Sequence, residues 1–463
     1  MTTTSQPTSP PPGLIRRARP GPTGRRGLPV AVAILGSLLA GLVLALLLVL
    51  VVFAGGTEPV ITGAALVGFG SGWALLGAVS TRWTSQPQRW AYLPAVVMAT
   101  TGLALLVTRP GNDLLSAAGW VWPPAALALA VWMARAARRA TTRGTRWLVY
   151  PAIGLVAAAA LGGSLATVTI ALDDTSDTMP GALYDVGGHR LHLACTGTGS
   201  PTVVLENGLN EISPLWSAVT AQVSRTTRVC AYDRAGQGWS DDVAQPQDGR
   251  AVAADLHALL ARAGEHGPYV LAGHSSGGTL AMTYAARYPA QVAGLVLLDS
   301  SSPHQYTDQP DFAGTYATMR RLLPVTPALA RVSVTRLVPA SPATALSPEA
   351  AAQVRAFATS PRGARNMRDE HAQLRTVFAQ AQALTSFDPK PLAVVTAREN
   401  AEGTTGWAAA QSRMAQLSSN STHWVADTTH VGLLDDRDGS ADSVRAITAV
   451  VSAVRTGTPL ATP

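Results

Sequence analysis

The sequence predicts an all-α transmembrane bundle of about five spans, followed by an α/β domain with a mostly parallel sheet and a helical cap. Three observations predict it. Five long stretches before residue 173 carry no charge. From about residue 181, short apolar runs alternate with helical stretches, the texture of βαβ units. Between one such run and the next helix stands Gly273-His274-Ser275-Ser276-Gly277, which fits G-x-S-x-G. A chain of 463 residues is also too long for one ordinary domain.

The uncharged stretches are 28–54, 59–80, 90–108, 115–134 and 147–172. Each is near the ~20 residues that cross a bilayer core as a helix. Pro123 and Pro124 interrupt the fourth. A secretory signal peptide would explain only the first. Arginine placement orients the bundle. Arg16, Arg17, Arg19, Arg25 and Arg26 precede the first span, Arg82 and Arg89 lie between the second and third, and Arg135 to Arg146 lie between the fourth and fifth. Positive residues stay on the cytoplasmic side, so the N-terminus is expected inside and everything after Leu172 outside the cell membrane.

Residues 1–172 carry 13 Arg against Glu58 and Asp113, a net +11. The remaining 22 basic and 26 acidic residues give −4, so the overall +7 is a topology signal and no nucleic-acid partner is expected. Residues 1–27, rich in Pro, Thr and Arg, read as a disordered cytoplasmic tail. The spans hold no ionisable residue, which favours an anchor in the lipid bilayer over a transporter. Gly68, Gly70, Gly162 and Gly163 fit close helix packing.

In the second half, 173–463, residues 189–195 alternate like an early antiparallel edge strand. Buried strands are expected at 202–206, 227–232, 269–272, 295–298, 392–396 and 422–426, and a last helix at 440–454. Residues 301–388 form a long insertion between two strands. Helical patches at 316–323, 348–358 and 365–384, punctuated by prolines, make it a helical cap. Its Leu322, Leu323, Val325, Leu329, Val332, Leu337 and Val338 are expected to line a pocket for a hydrophobic acyl group.

The pentapeptide suits a serine on a tight strand-to-helix turn, exposed and near a base. Gly273 and Gly277 flank it because such a turn leaves little room for a Cβ. Glu206-Asn207-Gly208-Leu209, Tyr232 to Ser240 (YDRAGQGWS), the Ser275 elbow and Thr429-His430 follow in order over residues 181–455. Together they resemble the α/β-hydrolase fold serine hydrolases of the esterase, lipase and proline-iminopeptidase-like group. The resemblance implies Ser275 as nucleophile and His430, in a loop after the final strand, as its base. The acid has an unusual position. The family's common aspartate site after the seventh strand holds Asn400, with Glu399 and Glu402 beside it. Asp299, ending the preceding strand, is therefore the expected acid, with Glu402 or Glu399 as alternatives. The oxyanion hole is expected from the N–H groups of Ser276 and Leu209.

Cys195 and Cys230 are the two cysteines. In the sheet order of this fold their strands are neighbours, close enough for a disulfide on the oxidising side. There is no phosphate loop, metal cluster or dinucleotide fingerprint in the sequence, so neither cofactor nor metal is expected. The expected activity is hydrolysis of a small-molecule or lipid-like acyl ester, less so of an amide. Two alternatives stand beside it. One is an acyltransferase using the same acyl-enzyme. The other is a catalytically inactive membrane sensor, which the absent acid at position 400 would favour.

Overall fold

The computed structural model describes residues 1–2, 28–172, 179–339 and 343–460. The expected 1–27 tail therefore lies almost wholly outside the described residues.

Among the described residues, four helices are long and apolar enough to cross a membrane: Val30–Val52, Glu58–Trp83, Arg89–Thr108 and Arg143–Leu172. The expected fourth span, 115–134, falls on a bent pair of helices. Asn112–Ala118 and Trp122–Ala140 meet at 46°, and the pair counts as a fifth span if taken as one. Pro123 and Pro124 explain the bend. Both sit in the first turn of the second helix, where their missing N–H groups cost nothing, but neither could continue a helix from before. Glycines set the helix spacing. A Cβ on Gly41 would lie 2.6 Å from Gly72 Cα, and one on Gly68 2.4 Å from Ala45 Cα, so the first two helices pack backbone to backbone.

Among the described residues, eight strands form one sheet. They are β1 (Ala182–Asp185), β2 (Arg190–Thr196), β3 (Val203–Glu206), β4 (Val229–Tyr232), β5 (Tyr269–His274), β6 (Val292–Leu298), β7 (Leu392–Ala397) and β8 (Ser421–Ala426). Their spatial order is β1-β2-β4-β3-β5-β6-β7-β8. β1 pairs antiparallel with β2 and β2 with β4, and every later pairing is parallel. β3 through β7 are apolar runs buried on both faces, as a parallel sheet covered by helices requires. One core cluster against the sheet includes Leu256, Leu271, Tyr284 and Leu297, and a second includes Trp216, Val270, Val296 and Ile447. β1 was not expected from the sequence. Its ALYD run is short and only half-buried, so it carries little hydrophobic signal.

Cys195 and Cys230 lie opposite each other in the β2–β4 register, with Cα atoms 4.0 Å apart, and are bonded as a disulfide. The insertion after β6 is helical: Phe312–Leu322, Thr326–Arg331, Pro348–Thr359 and Pro361–Ala381. Its apolar residues do not all line a pocket. Leu322, Leu337 and Val338 are 45%, 80% and 64% exposed, and Val325 packs against Val49, Ile61 and Ala64 of the helical bundle. The cap's own period placed these residues on an apolar face; the bundle, distant in sequence, takes part of that face.

Candidate active site

β5 ends at His274, and the helix Ser276–Arg287 begins two residues later, so Ser275 carries the whole reversal. It adopts φ 56° and ψ −127°, a conformation that L residues avoid. The turn closes only because its neighbours are small. A Cβ on Gly273 would meet Gly277 C at 2.6 Å, and one on Gly277 would meet Glu206 O at 2.4 Å. Ser275 is half-buried at the head of the helix, beside first-turn N–H groups that have no intrahelical partner.

The carboxyl ends of β5, β6, β7 and β8 form one rim of the sheet. Asp299 follows β6 and His430 follows β8, and here they meet. His430 Nδ1 lies 2.6 Å from Asp299 Oδ2. Asp299 is fully buried and collects further donors: Asn400 Nδ2 at 2.6 Å, Trp407 Nε1 at 2.7 Å and Ala397 N at 3.1 Å. Asn400, at the usual acid position, thus donates to the acid on the neighbouring strand. Asn400 Nδ2 is also 3.2 Å from His430 Nδ1, but two donors cannot bond each other, and the shorter Asp299 contact takes the imidazole proton. Glu399 accepts from the His430 backbone N–H at 2.7 Å and does not meet the ring. Glu402 pairs with Arg398 at 3.1 Å, its side chain 69% exposed. Of the three candidate carboxylates, only Asp299 meets the imidazole.

A second histidine–carboxylate pair lies directly beneath. His274 Nδ1 is 2.6 Å from Glu211 Oε1, and His274 Nε2 donates to the His430 carbonyl oxygen at 2.9 Å. The His274 and His430 rings are 4.5 Å apart. Burial disfavours the His274 charge, but the Glu211 carboxylate outweighs it and raises His274 above its ordinary value. Burial likewise works against Glu211, and His274 with the Gly208 N–H outweighs it and lowers Glu211. The pair is therefore a buried ion pair that ties the β3 loop to the backbone of His430. Sequence reasoning placed His274 only in the elbow's surroundings and missed Glu211, which is 63 positions away.

The β3 loop, Asn207 to Asn210, is held from several sides. Gly208 N–H donates to Glu211 and Asn210 N–H to Glu370. Leu209 N–H, between them, has no acceptor among the described residues. The Arg234 guanidinium donates to the carbonyls of Asn207 and Gly208 and pairs with Glu370 at 2.7 Å. Asn207 donates to Tyr232 O and accepts from Trp216 Nε1. Burial pushes Glu206 up to about 7 against the pull of Arg234, and its carboxyl accepts from Tyr232 Oη. Asp233 accepts from Ser213 N–H and pairs with the buried His192. The Asp233-Arg234 motif thus braces loops and touches no candidate reacting group.

Residues 201–435 match the family described as alpha/beta hydrolase fold. The chain belongs to the α/β-hydrolase fold family. An uncharacterised protein of Schizosaccharomyces pombe (strain 972) is similar, with 32% identity over 173 residues that cover 31% of this chain and 32% of that protein. A putative carbamate hydrolase of Escherichia coli O9:H4 is 36% identical over 99 residues, 21% of this chain and 36% of that protein. The chain spans about a third of the length of these two relatives. The crystal structure of an enol-lactonase from Burkholderia xenovorans LB400 matches with a TM-score of 0.44 and 20% identity, covering 58% of this chain and 99% of that one. This member of the family thus joins an α/β-hydrolase fold to an N-terminal region of apolar helices.

Proposed function

We propose that the protein is a membrane-anchored, extracytoplasmic serine hydrolase that cleaves carboxylic esters through an acyl-enzyme on Ser275. The observation that carries this reading is the 2.6 Å contact between buried Asp299 and His430, on the sheet rim that also bears the strained Ser275 elbow. Ser275 Oγ attacks the ester carbonyl, and His430 Nε2 takes its proton. Asp299 holds the imidazole proton on Nδ1 and stabilises the imidazolium that forms. The Leu209 and Ser276 N–H groups bind the oxyanion. His430 then returns the proton to the leaving alcohol, and the acyl group remains on Ser275. Water, deprotonated by His430, attacks the acyl-enzyme and releases the acid.

The five-span reading, with the N-terminus inside, sets this chemistry outside the membrane. It rests on the arginine asymmetry of the loops. The inactive-sensor alternative drew support from Asn400. That support weakens, because Asp299 meets the imidazole from the adjacent strand. The test is Ser275→Ala in the full-length protein, assayed on p-nitrophenyl esters. A kcat loss on the order of 10⁴–10⁶, with little further loss on adding His430→Ala, is expected when the residues act as a unit. Unchanged turnover by Ser275→Ala would exclude the acyl-enzyme.

A further inference from the structure

A cavity of about 420 Å³ opens at the seam between the helical bundle and the cap. That size falls within the ~300–1,000 Å³ of small-ligand sites. One wall is Ala54 and Gly55, the turn that joins the first two long helices. The opposite wall is cap: Tyr306 and Tyr316, with Arg320, Arg321 and Arg375. Three guanidinium groups and no carboxylate line it. None of the three forms an ion pair with a described residue. Arg320 approaches the Gly55 side closely, and Arg375 lies over the Tyr306 ring, 5.9 Å from its centroid. The uncancelled charge is felt nearby. His371, stacked on Tyr316, is held down at about 4 by burial and then by Arg320.

Side-chain and backbone contacts join the cap to the bundle along this seam. Glu58, 2% exposed at the start of the second long helix, accepts from Arg331 and Arg365 of the cap. Ser333 Oγ donates to Gly162 O at 2.8 Å, and a Cβ on Gly162 would meet Val332 O at 2.2 Å. Gly162 precedes Leu172 along one continuous helix by ten residues, which is ~15 Å of rise. The cap therefore packs along the side of the bundle, and its Leu322 and Leu337 are exposed. The three arginines sit higher, beside Ala54 and Gly55 in the connection between the first two long helices, which the five-span reading puts on the outer face, where cationic side chains meet lipid phosphates.

We propose that this cavity binds the phosphate-bearing headgroup of an anionic phospholipid of the outer leaflet. The inference rests on the five-span reading of the bundle. The guanidinium groups donate in pairs to phosphate oxygens, and the acyl chains run along the exposed cap leucines. Tyr306 and Tyr316 share an apolar cluster with Phe378 and Leu209, so the cavity wall is continuous with the loop that carries Leu209.

The test uses the full chain reconstituted into vesicles of phosphatidylcholine with a minor share of phosphatidylglycerol, followed by native mass spectrometry of retained lipid. Wild type should retain phosphatidylglycerol selectively. The variant Arg320→Gln/Arg321→Gln/Arg375→Gln should lose that retention by about 10–100-fold, the range for hydrogen bonds to charged groups. It should hydrolyse a short soluble ester at the wild-type rate, which reports an intact fold. Equal retention by variant and wild type would overturn the proposal. So would displacement of no lipid but saturable binding of inorganic phosphate, which would assign the cavity to a free anion. Protein recovered free of vesicles would overturn the span reading itself, a result distinct from loss of lipid selectivity in reconstituted protein.

Discussion

Asp299→Asn isolates the orienting acid. Asp299 Oδ1 accepts from Trp407 Nε1 and Ala397 N, while Oδ2 accepts from His430 Nδ1 and Asn400 Nδ2. An asparagine keeps the shape but offers one oxygen. If that oxygen serves Trp407 and Ala397, the new amide NH₂ faces His430 and Asn400, donor against donor. The imidazole then accepts at Nδ1 and carries its proton on Nε2, where it cannot take one from Ser275. The expected loss in kcat is on the order of 10⁴, about 5 kcal/mol at 1.36 kcal/mol per decade. One mismatched buried contact costs about 1–3 kcal/mol of stability, so the fold should survive with a lowered Tm. Steady-state hydrolysis of p-nitrophenyl esters reads the first effect and a thermal melt in detergent the second. Glu399→Gln and Glu402→Gln should stay near wild type. A nearly fully active Asp299→Asn beside a dead Glu402→Gln or Glu399→Gln would refute the reasoning and move the acid to the β7 loop.

The His274–Glu211 ion pair predicts a pH window. Its His274 share is fully present below the ordinary 6.5 and is lost as pH rises through the raised folded value. The Glu211 share is present above 4.5 and is lost as pH falls through its lowered value. The stability gap between wild type and Glu211→Gln should therefore be widest between those values, about 3–5 kcal/mol for breaking a buried pair, and should shrink in alkali. A gap that keeps growing as pH rises above 6.5 would contradict the assignment. The Cys195–Cys230 bridge closes a separation of 35 residues. On the chain-entropy estimate it stabilises the α/β-hydrolase domain by roughly 3–4 kcal/mol. Non-reducing peptide mapping should recover the linked pair, and two free thiols trapped by alkylation under denaturing conditions would count against it.

Much of this arrangement is legible in the sequence, and the gaps have physical causes. The parallel strands announce themselves because both faces are buried, leaving unbroken runs such as VVLE and LVLL. β1, half-buried at the sheet edge, leaves no such run. The Ser275 elbow is local in sequence and reads directly, whereas Glu211 and His274 meet only through the fold. Glu58 reads as a connector between spans. Its burial depends on Arg331 and Arg365, 273 and 307 positions later, which no local pattern encodes. The fourth span shows the opposite case: Pro123 and Pro124 mark its break, but the short helix Asn112–Ala118 before it is hidden by its polar start.

Labelling of intact cells with a membrane-impermeant fluorophosphonate, followed by peptide mass spectrometry, tests activity and sidedness together. The account predicts a single phosphonylated peptide modified at Ser275, formed without permeabilisation and absent from Ser275→Ala. Labelling that requires permeabilised cells would contradict the outward-facing placement. Absence of any Ser275 adduct on the folded, solubilised protein would contradict the serine hydrolase itself.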